Sequence, residues 1–164
     1  MKHFSKTVRQ ALASPWGPVT LAATDSALVW VGFDGQKHAP DTSAWSVSRD
    51  NTVLRQAAEQ LQQYFAGERT AFALPLNLDG GTPFQQGVWR SLLDIALGAT
   101  STYGAIGQAI GNPKAVRAVG AAVGRNPISI IVPCHRVLGS DGSLTGYAGG
   151  VDRKQALLQL EGAL

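Results

Sequence analysis

The stretch YGAIGQAIGNPKAVRAVGAAV, residues 103–123, is the one whose reading decides the fold. Tyr103 to Ile110 and Lys114 to Val123 each read as a short helix, and Gly111-Asn112-Pro113 between them is a turn that neither helix can absorb. The second segment carries Lys114 and Arg117, with Arg125 just past its end. Ala115, Ala118, Gly120, Ala121 and Ala122 leave it almost without bulk. Two short helices around a Gly-containing turn, the second basic and small, fit a helix-turn-helix whose second helix brings its backbone close to a partner. The same pattern also fits a helix pair that uses its small residues only for packing.

Outward from this core, Thr82 is placed to cap a helix with Pro83 at its first position, and Phe84, Val88, Trp89, Leu92 and Leu93 form its apolar stripe. Before it, Leu74 to Leu78 is apolar around Pro75, and the polar turn Asp79-Gly80-Gly81 marks a boundary between domains at 1–80 and 81–164. The first domain opens with strands. Thr7 to Leu12, Val19 to Ala23 and Ala27 to Phe33 are short β-branched and apolar runs separated by Ser14-Pro15-Trp16-Gly17-Pro18 and Thr24-Asp25-Ser26. They predict an antiparallel meander. Residues 34–50 have no periodicity and read as a loop. Val53, Ala57, Leu61, Tyr64 and Phe65 then predict a helix over Thr52 to Ala66, capped by Asn51 or Thr52 and stopped at Gly67.

The 164 residues are 45% hydrophobic and 15% charged, which supports a folded core and excludes disorder. Met1 to Ala13 contain charged residues and no apolar h-region, and no uncharged apolar stretch is long enough to span a bilayer, so neither secretion nor membrane insertion is expected. Residues 1–80 hold seven basic and seven acidic side chains, whereas 81–164 hold seven and four, the source of the net +3. No acid lies between Asp94 and Asp141, which points to a polyanion contact confined to the second half.

Cys134 is the single cysteine. It excludes an internal disulfide and a multi-cysteine metal cluster, and it suits a reducing, cytoplasmic compartment. The apolar run Ile128 to Val132 reads as a strand that delivers Pro133-Cys134-His135-Arg136-Val137. A thiol is a nucleophile only as thiolate, and a neighbouring His or Arg is the means to make one. A buried inert cysteine fits the same local pattern. With only His3 and His38 left to complete a set of ligands, no metal site is expected.

The string Asn126-Pro127-Ile128-Ser129-Ile130-Ile131-Val132-Pro133-Cys134-His135-Arg136-Val137 resembles the active-site signature of the O6-alkylguanine-DNA alkyltransferases. Tyr103-Gly104, the block from Gly111 to Gly120, Gly146-Tyr147-Ala148-Gly149-Gly150 and Leu160-Glu161-Gly162 match that family in order, and the likeness is close from Thr82 to Gly162. The resemblance implies an α+β protein. Its N-terminal part would be a small antiparallel sheet with a helix, ribonuclease H-like. Its C-terminal part would be mostly helical with the helix-turn-helix, winged-helix-like, and would hold the DNA-binding and alkyl-acceptor functions, with residues 1–80 as support.

The same resemblance implies the chemistry. Cys134 would take the alkyl group from O6-alkylguanine irreversibly, one lesion per molecule, with O4-alkylthymine a candidate second substrate. His135 would deprotonate Cys134 through a water, Glu161 would orient His135, and Asn126 would tie the active-site turn. The alkylated nucleotide must leave the stack to be reached; Arg117 would fill its place and Tyr103 would contact the flipped nucleotide and donate to the departing guanine. The second helix would lie in the minor groove with Ala118, Ala121 and Ala122 toward DNA, helped by Lys114, Arg125 and Arg136. Val132, Pro133, Val137, Tyr147 and Ala148 would line the base pocket, where Ala148 replaces a serine of some relatives and leaves only the backbone amide to serve the O6 atom. The partner would be double-stranded DNA bearing the lesion, with no membrane, no cofactor and no metal, the protein acting as a monomer. Two other classes are weighed: a damage-sensing binder without an acceptor, against which Cys134 argues, and a transcription regulator, whose fused sensor needs a cysteine cluster absent here.

Overall fold

The computed structural model describes residues 6–164, and Lys2 and His3 lie outside them. The chain divides into two units, one ending at Asn77 and one running from Leu78 to Leu164. In the first, β1 (Val8–Leu12), β2 (Val19–Ala23) and β3 (Leu28–Phe33) form the expected antiparallel meander, Val8 opposite Ala23 and Val19 opposite Phe33. The turn after β2 is closed by Thr24, whose hydroxyl accepts from the backbone of Ser26 and Ala27.

Two features of this sheet depart from the sequence reading. Ser46–Val47, inside the expected loop, forms a fourth strand, β4, which pairs parallel with β1 and makes the sheet mixed, in the order β3-β2-β1-β4. Two residues are too few to leave a periodicity, and the pairing is secured from the partner strand: Arg9 Nε donates to Trp45 O at 2.9 Å, and Ser48 N donates to Arg9 O at 3.0 Å. At the other edge, Leu28 N bonds Pro75 O at 2.8 Å and Asn77 N bonds Leu28 O at 2.9 Å. Pro75 lies at this edge, where it owes the ladder no donor.

Helix α1 (Thr52–Phe65) buries Val53, Leu54, Ala57, Ala58, Leu61 and Tyr64. The cap is Asn51. Its Oδ1 accepts from Leu54 N at 2.9 Å, and its Nδ2 donates to Thr24 O at 3.0 Å, so one amide starts the helix and ties it to the β2–β3 turn.

The second unit begins with α2 (Pro83–Leu92). Thr82 and Gln85 form a reciprocal capping box, Thr82 Oγ1 accepting from Gln85 N at 3.1 Å and Gln85 Oε1 from Thr82 N at 3.0 Å. Val88, Trp89 and Leu92 are buried; Leu93, expected with them, caps the helix and is 45% exposed. Gly81 permits this entry, since a Cβ there would lie 2.4 Å from the Trp89 ring. Strand β5 (Ser101–Thr102) leads into α3 (Tyr103–Ala109), which Thr102 caps. Gly111, at φ 76°, turns the chain so that Asn112 N reaches Gly107 O at 2.8 Å.

Helix α4 is Val116–Gly124, two residues shorter at its start than expected, because Lys114 and Ala115 belong to the turn. Both α3 and α4 pack against α2, and Trp89 Nε1 donates to Ala122 O at 2.8 Å. After α4, the predicted strand over residues 128–132 is instead a succession of turns: Ile130 has φ 73°, and Val132 N bonds Ile128 O at 3.0 Å. A 3-10 turn, Cys134–Arg136, runs into β6 (Val137–Leu138), which pairs parallel with β5, and α5 (Val151–Leu160) closes the chain. Among the described residues no helix is long and apolar enough to cross a membrane.

Candidate functional site

The residues after α4 fold as they do because Asn126 holds them. Its Nδ2 donates to Val132 O at 2.8 Å while its Oδ1 accepts from Ile128 N at 3.0 Å, so both ends of one buried amide close the turn. Cys134 N then donates to Val132 O at 2.8 Å, and the thiol emerges at the start of the 3-10 turn, buried. Burial pushes the Cys134 thiol up. The Asn126 side chain, the positive charge of Lys154 and the backbone N–H of His135 oppose that rise by favouring the thiolate.

His135 has no exposed surface. Its Nε2 lies 2.8 Å from Glu161 Oε2, and its Nδ1 makes no hydrogen bond within the protein. Burial lowers its pKa from 6.5, Glu161 raises it, and Arg136 and Lys154 lower it, with the net shift downward. The ring is therefore neutral at pH 7. An ionised Glu161 can only accept, so Nε2 carries the hydrogen and Nδ1 the lone pair, which makes Nδ1 the proton acceptor of the site.

Glu161 caps the end of α5 and is gripped from a second side. Arg136 Nε donates to Glu161 Oε1 at 2.8 Å and Arg136 Nη2 to Glu161 Oε2 at 2.9 Å, a two-pronged pair, while Arg136 Nη1 donates to Ile95 O. This corrects the placement of Arg136 on the DNA. The side chain is buried, and its guanidinium is already committed to Glu161 and Ile95.

Lys154 is the functional residue that the sequence reading missed. It has no exposed surface, its amine donates to Val137 O at 2.6 Å and to Thr145 O at 3.2 Å, and burial lowers its pKa to about 8. A signal was present: Lys154, Leu157, Leu158 and Glu161 stand at i, i+3, i+4 and i+7, so both charges lie on the buried stripe of α5.

Val132, Pro133 and Val137 are buried within three residues of Cys134, Tyr147 is buried, and Ala148 is half-buried. Burial, and then the proximity of Cys134, pushes the Tyr147 phenol well above its ordinary range, so it stays neutral. The hydroxyls of Tyr103 and Thr145 are 2.9 Å apart. On α4 the outward face carries Arg117, Ala118 and Ala121, with Lys114 and Arg125 exposed beside it. Ala122, expected on that face, is turned inward beside Val119 and Val123, its carbonyl held by Trp89. Among the described residues no cluster of His, Cys, Asp or Glu is placed to hold a metal ion.

Two family models match the chain: the ribonuclease-like domain of 6-O-methylguanine DNA methyltransferase over residues 8–78, and the DNA binding domain of the same family over residues 83–163. The methylated-DNA–protein-cysteine methyltransferase of Methanosarcina acetivorans is 50% identical over 151 residues, covering 92% of this chain and 95% of that protein. The Mycobacterium tuberculosis protein of the same name is 50% identical over 152 residues, 93% of this chain and 90% of the relative. Among solved structures, the M. tuberculosis O6-methylguanine methyltransferase superposes with a TM-score of 0.87 at 48% identity, covering 96% of this chain and 93% of that one. The M. tuberculosis OGT in complex with DNA also gives 0.87 at 48% identity, over 94% and 92%.

The grip of Arg136 and His135 on Glu161 makes a direct test. Glu161→Gln leaves a buried guanidinium without its counter-charge, and the expected loss of unfolding free energy is about 3 to 5 kcal/mol by urea denaturation. Arg136→Met in the same chain removes the stranded charge and recovers part of that loss; a double variant less stable than Glu161→Gln alone would contradict this account.

Proposed function

This chain belongs to the 6-O-methylguanine DNA methyltransferase family, and from that premise we propose which of its residues perform the repair. The protein is a methylated-DNA–protein-cysteine methyltransferase that reverses DNA damage directly, by moving an alkyl group onto a cysteine. Cys134 is the acceptor, since it is the only cysteine. The assignment is supported by the Glu161–His135 pair, in which the carboxylate fixes the ring and leaves Nδ1 without a partner in the protein, on the residue that follows Cys134 in the chain.

The Cys134 proton passes to His135 Nδ1 by way of a water, and the thiolate attacks the alkyl carbon in line. The C–S bond forms as the bond from carbon to O6 breaks, and the guanine leaves with the electron pair and takes up a proton, with Tyr103 as the donor beside it. The product is a thioether. No residue of the site can expel a thiolate from it, so one molecule repairs one lesion.

Arg117, at the exposed front of α4, enters the duplex where the alkylated nucleotide has left the stack, while Ala118 and Ala121 let the helix backbone approach the minor groove. Lys114 and Arg125 meet phosphates on either side. Val132, Pro133, Val137, Tyr147 and Ala148 receive the base. Residues 81–164 thus carry both recognition and chemistry, with 1–80 as the supporting domain. The protein acts as a monomer on double-stranded DNA, in the cytoplasm, where one reduced thiol persists.

Incubation with duplex DNA containing O6-methylguanine, followed by intact mass, tests the assignment: one methyl increment per chain is expected, and none with Cys134→Ser, which still binds the duplex. Transfer by Cys134→Ser would overturn it. Arg117→Ala is expected to slow repair of the duplex at least tenfold while leaving reaction with free O6-benzylguanine nearly unchanged, because only a duplex has a vacated place to fill. An equal loss on both substrates would move Arg117 into the chemistry. With neutral His135 as the base, the transfer rate falls as pH drops below 6.5 through the lowered His135 pKa, toward tenfold per pH unit. A rate with no acid limb at any pH at which the protein stays folded would remove His135 from that role.

A further inference from the structure

Thr145 takes no part in the reaction outlined above, yet it is tied to the site from two directions. Its backbone carbonyl accepts from the buried amine of Lys154 at 3.2 Å, the same amine that holds Val137 O at 2.6 Å. Its side chain reaches the other way, with the hydroxyl 2.9 Å from the hydroxyl of Tyr103 across 42 residues of sequence. Tyr103 opens α3, and its ring lies over Gly120 of α4, where a Cβ would sit 3.8 Å from Cδ1. The ring is therefore set between two helices, while its oxygen is set by Thr145.

A phenol has one hydrogen and can accept at its oxygen. If that hydrogen were spent on Thr145, none would remain for the departing base. The opposite polarity suits the reaction: with the Thr145 hydroxyl donating to the Tyr103 oxygen, the phenolic hydrogen is left to point outward, and a hydroxyl that already accepts one bond is polarised into a stronger donor. Thr145 retains a fixed orientation in this arrangement because Lys154 pins the backbone on which it stands.

We propose that Thr145 is a positioning residue for alkyl transfer, its hydroxyl donating to Tyr103 so that the phenolic hydrogen is aimed at the guanine that leaves. This rests on the reading of Tyr103 given under the proposed function. Removing the hydroxyl loses the aim without losing the ring, so the effect belongs to the chemical step and not to DNA affinity.

The test uses the whole protein and a duplex containing O6-methylguanine, with single-turnover rates at saturating protein. Thr145→Val, Thr145→Ala, Thr145→Ser, Tyr103→Phe and the Tyr103→Phe/Thr145→Val double are compared, and Kd for the same duplex is read in Cys134→Ser versions of each. Both hydroxyl-free variants are expected to be about fivefold slower, the size of one neutral hydrogen bond, with Kd unchanged. Thr145→Ser is expected to return to within about twofold of the parent, and the double variant to be no slower than Tyr103→Phe. Thr145→Ala guards against a folding defect peculiar to valine. A normal rate in both hydroxyl-free variants, failure of serine to rescue, or an undiminished fivefold loss on top of Tyr103→Phe would overturn the proposal while leaving Tyr103 in place. A Tyr103→Phe protein that transfers at the parent rate would instead overturn the reading of Tyr103, and this proposal with it.

Discussion

The arrangement of the second unit depends on a single buried carboxylate. Glu161 has no exposed side-chain surface and is closed by two cationic or hydrogen-donating partners, Arg136 and His135. A carboxylate taken out of water alone would cost several kcal/mol, and the two-pronged Arg136 contact is what makes its ionised form tolerable. Such a pair is a weak source of net stability; its consequence is geometric. Because both oxygens of Glu161 are fixed, the His135 ring has one allowed orientation, and the Ile95 carbonyl, the 3-10 turn and the end of α5 are tied to one point.

The same burial sets the resting state of the nucleophile. It raises the Cys134 thiol and lowers the His135 imidazole, so at neutral pH the pair is held without charge. Four features wait for the thiolate when it forms: the Asn126 amide, the Lys154 charge and the backbone N–H groups of Cys134 and His135. A catalyst that must turn over many times would have to restore this state after every cycle. Here the sulfur is consumed, and the site has only to make one displacement favourable.

What could be read from sequence was what local chemistry determines. The Thr82 cap with Pro83, the Asn51 cap, the three-strand meander and the turn at Gly111 follow from residues within four or five positions of one another, and the Cys134-His135 pair is contiguous. The errors lie where a distant residue decides. Residues 128–132, four of them β-branched and apolar, are a strand by propensity, but Asn126 clamps both ends of the run and Ile130 takes a left-handed conformation. Arg136 looked like a surface charge because its partner stands 25 positions away. Strand β4 is two residues long and is held by an arginine side chain, and Lys154 disappeared into a charge count because α5 was not recognised as a helix with a buried stripe.

The basic residues of residues 81–164, counted together, had suggested a polyanion-binding surface, but the fold sorts them into different work. Arg136 and Lys154 are inside, serving Glu161 and the carbonyls of Val137 and Thr145, and Arg90 faces Asp79 at 3.6 Å. The α4 region retains Lys114, Arg117 and Arg125 at the surface. Under the proposed function these three charges would give a modest electrostatic hold on a duplex, since each phosphate contact contributes one released counterion at most. Recognition by α4, as proposed, would then draw on close approach, which its packing allows: Val119, Ala122 and Val123 pack inward, Trp89 anchors the Ala122 carbonyl, and the opposite face rises no higher than a methyl group at Ala118 and Ala121. A helix held rigidly from behind and left low in front can bring its backbone against a groove and still project one long side chain, Arg117, beyond it. The small residues that could have served only for packing therefore divide their work: Ala122 is buried against α2, Gly120 lies beside the Tyr103 ring, and Ala118 and Ala121 face outward.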